Sequence, residues 1–167
     1  AVADFVREHP QDERRLTLLD VGVGSGRSLR FIEAAGVSDR IDFHGFDLQK
    51  KRLDKVYRAE RWRLFHGDIE QGTPFEPAFF DIVICEQVLE HLNDPAAALK
   101  EIARVLKPGG LFVTGVPIFL WGISHLRRPI VAFLRKRFGV KSSHVQGYHL
   151  GSFERLLRSG DWLDIRS

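Results

Sequence analysis

Residues 16–32, LTLLDVGVGSGRSLRFI, constrain this chain more than any other stretch. Leu16, Leu18, Leu19, Val21 and Val23 form an apolar run interleaved with Gly22, Gly24 and Gly26, after which Leu29, Ile32 and Ala35 recur at helical spacing. The pattern predicts a strand, a tight glycine turn and a helix beginning near Ser25, with Gly36 as its stop. Glycine has no Cβ, so its backbone reaches positive φ without a clash and lets a ligand lie directly against it. The unpaired N–H groups of the helix start then face that ligand. Spacing separates the nucleotide-binding classes that share such a turn. A dinucleotide fingerprint needs G-x-G-x-x-G, but the sixth position from Gly22 is Arg27. A phosphate loop needs Gly-Lys-Ser/Thr, a triplet absent from the sequence. The spacing present is Asp-x-Gly-x-Gly-x-Gly, from Asp20 to Gly26.

This spacing resembles the first motif of the class I S-adenosylmethionine (SAM) dependent methyltransferases, in which a strand-end Asp precedes the glycine turn under the cofactor's methionine moiety. The resemblance extends to residues 80–117, FDIVICEQVLEHLNDPAAALKEIARVLKPGGLFVTGVP. This stretch is similar to the fourth motif, following helix and fifth strand of the small-molecule group that includes quinone-biosynthesis enzymes. It implies an α/β fold with a doubly wound, mostly parallel sheet, SAM as cofactor and S-adenosylhomocysteine (SAH) as product. It also implies in-line methyl transfer to a small-molecule or lipid-like acceptor.

Further residues fall into place along the chain. A strand over 41–46 ends at Asp47, 21 residues beyond Gly26, the separation at which an acidic residue accepts hydrogen bonds from a ribose. Asp47 can at the same time serve as N-cap for a helix over 48–57, with Leu48 at its start. A third strand, 62–65, leads to Asp68 and Ile69, which the resemblance sets at the adenine amine and ring. A fourth, 80–85, leads to Glu86 and Gln87, at the strand end where open parallel sheets bind ligands. Asp94 is the N-cap of a helix with Pro95 at its first position and a Leu99, Ile102, Leu106 stripe. Pro108, Gly109 and Gly110 are expected to stop it before a fifth strand over 111–116, buried on both faces.

Beyond Pro117 the resemblance weakens. Residues 102–153 hold eight Lys and Arg and no acidic residue. Within them 118–141 is apolar and basic, read either as a lid-like insertion over the acceptor site or as a peripheral contact with an anionic membrane. Ser152 is expected to cap a helix carrying Phe153, Leu156 and Leu157. His144 and Tyr148, just before it, are the weak catalytic candidates; for His91 the resemblance implies a role in organising the loop after the fourth strand. A sixth strand is expected at 162–165, with no sequence left for the family's last strand.

The 167 residues are read as one domain, with neither signal peptide nor membrane span. The absence of any Met and the Ala start are read as signs of an incomplete chain. Cys85 lies in an apolar run and reads as a buried small hydrophobe, compatible with a cytoplasmic setting. No metal site is expected. Nucleic acid is an unlikely acceptor, because the aromatics of the basic segment sit among aliphatics. The alternative function is a non-catalytic SAM-binding or membrane-associated scaffold of the same fold; the oligomeric state is not legible.

Overall fold

The computed structural model describes residues 1–9, 14–117, 148 and 150–158. Five strands, β1 (Leu16–Val21), β2 (Ile41–Asp47), β3 (Trp62–His66), β4 (Phe80–Glu86) and β5 (Leu106–Gly115), form one sheet in the order β3-β2-β1-β4-β5. Every pairing is parallel. The apolar runs of β1, β2 and β4 require this, since strands covered by helices on both faces must bury alternate and intervening side chains alike. The chain builds outward from β1 to β3, then returns to the other side of β1 for β4 and β5. The reversal leaves a crevice at the carboxyl ends of β1 and β4.

One face of the sheet packs on helices α1 (Val2–Glu8) and α2 (Arg27–Ala34), with Val6, Leu18, Leu29, Ile32, Phe43, Ile82 and Ile84 in a common core. The other packs on α4 (Pro95–Val105) and α5 (Leu150–Arg158), through Leu19, Val21, Val83, Leu99, Ile102 and Leu157. Asp94 caps α4 as expected, its Oδ1 accepting the Ala97 N–H at 3.1 Å.

Four local expectations are corrected. The helix over 48–57 is a single turn, α3 (Lys50–Leu53), because Tyr57 gives its N–H to Ser25 O at 2.9 Å and Arg58 turns left-handed at φ 50. That long-range bond draws 56–57 onto the glycine turn instead of onto a continuing helix. Helix α4 ends at Val105, before Pro108, Gly109 and Gly110. These three residues instead form an irregularity inside β5, opposite the register shift between Phe80 and Ile82. Strand β5 is half-buried, not buried on both faces, since among the described residues only β4 flanks it. Ser152 lies inside α5, which already begins at Leu150, so it is not the cap. The segment 118–141, His144 and the expected strand at 162–165 lie outside the described residues.

Candidate functional site at the carboxyl ends of the strands

The glycine turn is held by the strands around it. Gly22, Gly24 and Gly26 all have positive φ, at 73, 53 and 74°. Phe46 O accepts the N–H groups of Gly22 at 2.7 Å and Val23 at 3.3 Å, and Gly26 N–H closes back on Val23 O at 2.8 Å. The three glycines answer different needs. A Cβ on Gly22 would strike the Val88 side chain, and one on Gly26 would lie 2.9 Å from Val56 Cγ1 and 3.2 Å from the Tyr57 backbone. At Gly24 the nearest atom to a Cβ is Gly22 O at 3.6 Å, so the space beside Gly24 is open to a ligand.

Asp47 joins this turn to the next strand end. Its Oδ2 accepts the Gly24 N–H at 3.1 Å, its Oδ1 accepts the Gln49 N–H at 2.8 Å, and its backbone carbonyl takes the Gly67 N–H at 3.2 Å. It therefore serves the start of α3 through Gln49 while remaining beside Gly24. Leu48, next to it, is 60% exposed, an apolar side chain left uncovered at the site. His66 Nε2 donates to the Leu48 carbonyl at 3.0 Å.

Asp20 is 6% exposed and sits between Gly45 and Ile84 in the ladder. Two residues beyond those partners stand Asp47 and Glu86, so by the strand period of two all three carboxyl groups share one face of the sheet. The Asp20 carboxyl accepts from the Ser28 hydroxyl on α2. Burial, with the nearby Glu86 and Asp47 charges, pushes its pKa up to about 7 against the pull of the Ser28 bond.

The remaining expected residues divide. Gln87 follows β4 in a left-handed conformation, φ 57, with its N–H on Gly115 O at 2.8 Å. Such strain in a non-glycine residue is found where the surroundings impose it. Asp68 is at the end of β3 as expected, its Oδ1 accepting the Glu70 N–H at 3.0 Å. Ile69 is buried in the core facing α4 and offers little surface to a ring. Tyr148 is buried, donates to Leu89 O at 3.4 Å and packs on Phe153; burial and Glu90 push its phenol up to about 12. That environment opposes a phenolate and packs Tyr148 between Leu89 and Phe153. His91 closes the turn after β4, donating its N–H to Val88 O at 2.8 Å. Burial raises the Cys85 thiol pKa, in keeping with an inert hydrophobe. Among the described residues no cluster with metal-ligand character occurs.

Ser28 and Val88 escape the sequence reading. Ser28 reaches back to Asp20 from the first turn of α2, a hint carried only by its place two residues after Gly26. Val88 fills the space that a Gly22 side chain would need, and no local pattern marks it. Glu90 is 1% exposed, and neither carboxyl oxygen has a hydrogen-bond partner among the described residues. A separate charged cleft lined by Arg15, Asp42, Glu60, Arg61 and Arg63 opens at the opposite, amino ends of β2 and β3.

Comparison with known proteins agrees with this geometry. A family described as "Methyltransferase domain" matches residues 19–114, which hold the glycine turn, Asp47, Asp68, Glu86 and Gln87. The ubiquinone biosynthesis O-methyltransferase of Idiomarina loihiensis is 32% identical over 111 residues, 64% of this chain and 44% of that protein. The demethylmenaquinone methyltransferase of Tropheryma whipplei is 32% identical over 124 residues, 71% of this chain and 46% of that protein. The chain thus spans less than half the length of these relatives. The crystal structure of YcgJ from Bacillus subtilis superposes with a TM-score of 0.68 at 23% identity, over 95% of this chain and 66% of that one, and shares the fold. With the family matched across more than half of its residues, the chain belongs to the class I SAM-dependent methyltransferases.

Proposed function

We propose that this chain binds SAM across the carboxyl ends of β1, β2, β3 and β4, and that the protein it represents moves the methyl group to a small-molecule or lipid-like acceptor. The observation that carries the reading is the open space over Gly24 beside a carboxylate already fixed to that residue's N–H. The residues fit the group. Asp20, Gly22, Gly24 and Gly26 would line the methionine side, and Asp47 the ribose, since each of its oxygens keeps a lone pair beyond the one given to the backbone. Leu48 would gain cover for its exposed side chain, Asp68 would meet the adenine amine, with Ile69 backing that position from the core and not stacking on the ring, and Glu86 and Gln87 would close the site.

When bound, SAM supplies an electrophilic methyl on a sulfonium, a good leaving group. The chain's contribution to transfer is then alignment and exclusion of water, while the negative charge of Asp20, Asp47 and Glu86 would favour binding of the cationic donor. A general base is required only where the acceptor must first lose a proton; His144 is the residue for that role, Tyr148 being buried.

The names of the relatives point to a quinone-type aromatic acceptor. No helix among the described residues is long and apolar enough to cross a membrane. The basic, apolar sequence of 118–141 supports a cytoplasmic protein that touches an anionic bilayer peripherally, where a lipid-like acceptor would reside. The test is transfer of radiolabelled methyl from SAM to a panel of hydroxylated polyprenyl aromatics, with and without anionic vesicles. Label in the organic phase supports the reading. SAM binding without transfer to any acceptor favours the scaffold alternative.

A further inference from the structure

Asp20 and Asp47 are both buried carboxyl groups at neighbouring strand ends, but they are held differently. Asp47 accepts two backbone N–H bonds, from Gly24 and Gln49. Asp20 accepts one bond, from the Ser28 hydroxyl, and shares its face of the sheet with Asp47 and Glu86. Two like charges beside a buried, thinly bonded carboxyl make it the member of the group that retains a proton.

We propose that Asp20 carries a proton in the ligand-free chain and releases it when a positively charged ligand is seated, so that pH sets how strongly the site prefers a sulfonium donor over its uncharged thioether product. This inference rests on the cofactor reading above. The Asp20 O–H bond breaks, the electron pair stays on the carboxylate, and the proton passes to the buffer. After methyl transfer the sulfur is neutral, the carboxylate loses its counter-charge, and the proton returns from the buffer, so the product complex has the protonation state of the ligand-free chain and lacks the ion pair that held the donor.

Charged and titratable groups reach Asp20 from each element packed against it. Strand β2 presents Asp47 and β4 presents Glu86, while the Cys85 thiol, on the opposite face of β4 and within reach of the Asp20 charge, is kept protonated by burial. Helix α2 presents Ser28, while Arg27 stacks on Phe31 and Arg30 on Tyr57 at 5.6 and 4.3 Å. Glu90 follows β4 and acts on Cys85 and Tyr148. Placement of the Asp20 pKa near neutrality agrees with this setting.

The test is calorimetric titration with SAM and with SAH from about pH 5.5 to 8.5, in two buffers of different ionisation enthalpy. Both ligands carry the same amino-acid group, so their affinity ratio isolates the sulfonium. For one released proton the ratio rises by up to about tenfold per pH unit below about 7 and levels above it, with more proton release for SAM than for SAH. Asp20→Asn flattens the ratio. Glu86→Gln, at an exposed position, moves the break to lower pH by removing a like charge, and carries the test should Asp20→Asn not fold. A pH-independent ratio in the unsubstituted chain, or a slope that persists in Asp20→Asn, overturns the inference while SAH binding keeps the cofactor reading. A folded chain that binds neither ligand overturns both.

Discussion

The backbone N–H of Gly24 donates to Asp47 Oδ2 at 3.1 Å, so the end of β2 holds the middle of the glycine turn. Replacing Asp47 by Ala removes the acceptor for Gly24 and Gln49 together. Each abandoned N–H costs about 1–3 kcal/mol, and the expected loss of stability is about 2–4 kcal/mol. Urea denaturation reads it directly. SAH affinity should fall by more than tenfold, roughly the worth of one charge-assisted ribose bond.

Gly24 and Gly26 separate ligand contact from folding. Gly24→Ala pays the left-handed backbone cost of about 1–2 kcal/mol and meets no close neighbour, so the chain should fold and lose SAH binding. Gly26→Ala adds a clash with Val56 Cγ1 and the Tyr57 backbone, and should lose about 2–4 kcal/mol before any question of ligand arises. Thermal unfolding of the two variants beside SAH calorimetry distinguishes them.

Two buried groups give stability opposite pH dependences. His44 is enclosed by Phe65, Phe75, Phe79 and Phe80, and burial lowers its pKa, so the unfolded chain takes up its proton first. Its contribution is present above the unfolded value of about 6.5 and is lost as pH falls below it. Asp20 is raised to about 7, so its contribution is present below the unfolded value of about 3.9 and is lost as pH rises through about 7. Between about pH 5 and 7 they oppose each other. His44→Phe should make the chain relatively more stable at pH 5.5 than at 7.5, and Asp20→Asn should do the reverse, as read from urea midpoints.

At the other end of the sheet, Asp81 tests structure without ligand. Burial pushes its carboxyl up, but bonds from Lys107 Nζ at 2.8 Å, Thr17 N–H at 2.8 Å and Arg14 at 2.9 Å hold it down at about 2. Its contribution is present above about pH 3.9 and is lost as pH falls toward 2. Asp81→Ala should cost about 2–4 kcal/mol, mostly from the groups left unpaired. SAH affinity of the folded fraction should be unchanged, since Asp81 lies near the start of β4 and the glycine turn follows the end of β1.

The sheet and the glycine turn were legible because their information is local. Apolar runs mark the strands, and Gly22, Gly24 and Gly26 mark a backbone that no other residue adopts cheaply. Asp94 and Pro95 announced the start of α4 by chemistry confined to one turn. The failures share a cause in long-range contact. Helical spacing over 48–57 lost to the bond between Tyr57 N–H and Ser25 O, thirty-two residues apart in sequence. Pro108, Gly109 and Gly110 read as a helix stop, yet they accommodate the β4–β5 register shift, which depends on the neighbouring strand. At the site, Asp47 is visible from spacing and Asp20 and Asp68 from the family resemblance, whereas Val88 against Gly22 and Ser28 on Asp20 depend on packing. The burial of Tyr148 likewise depends on packing, since polarity of the surrounding sequence says nothing of it.

The account rests on SAM chemistry at the glycine turn, and SAH calorimetry with the chain and its Gly24→Arg variant tests that most directly. The account predicts one SAH bound per chain, with binding abolished by Gly24→Arg while the circular dichroism of the sheet and helices is retained. A folded chain that takes up no SAH, or one whose SAH binding survives Gly24→Arg, would contradict it.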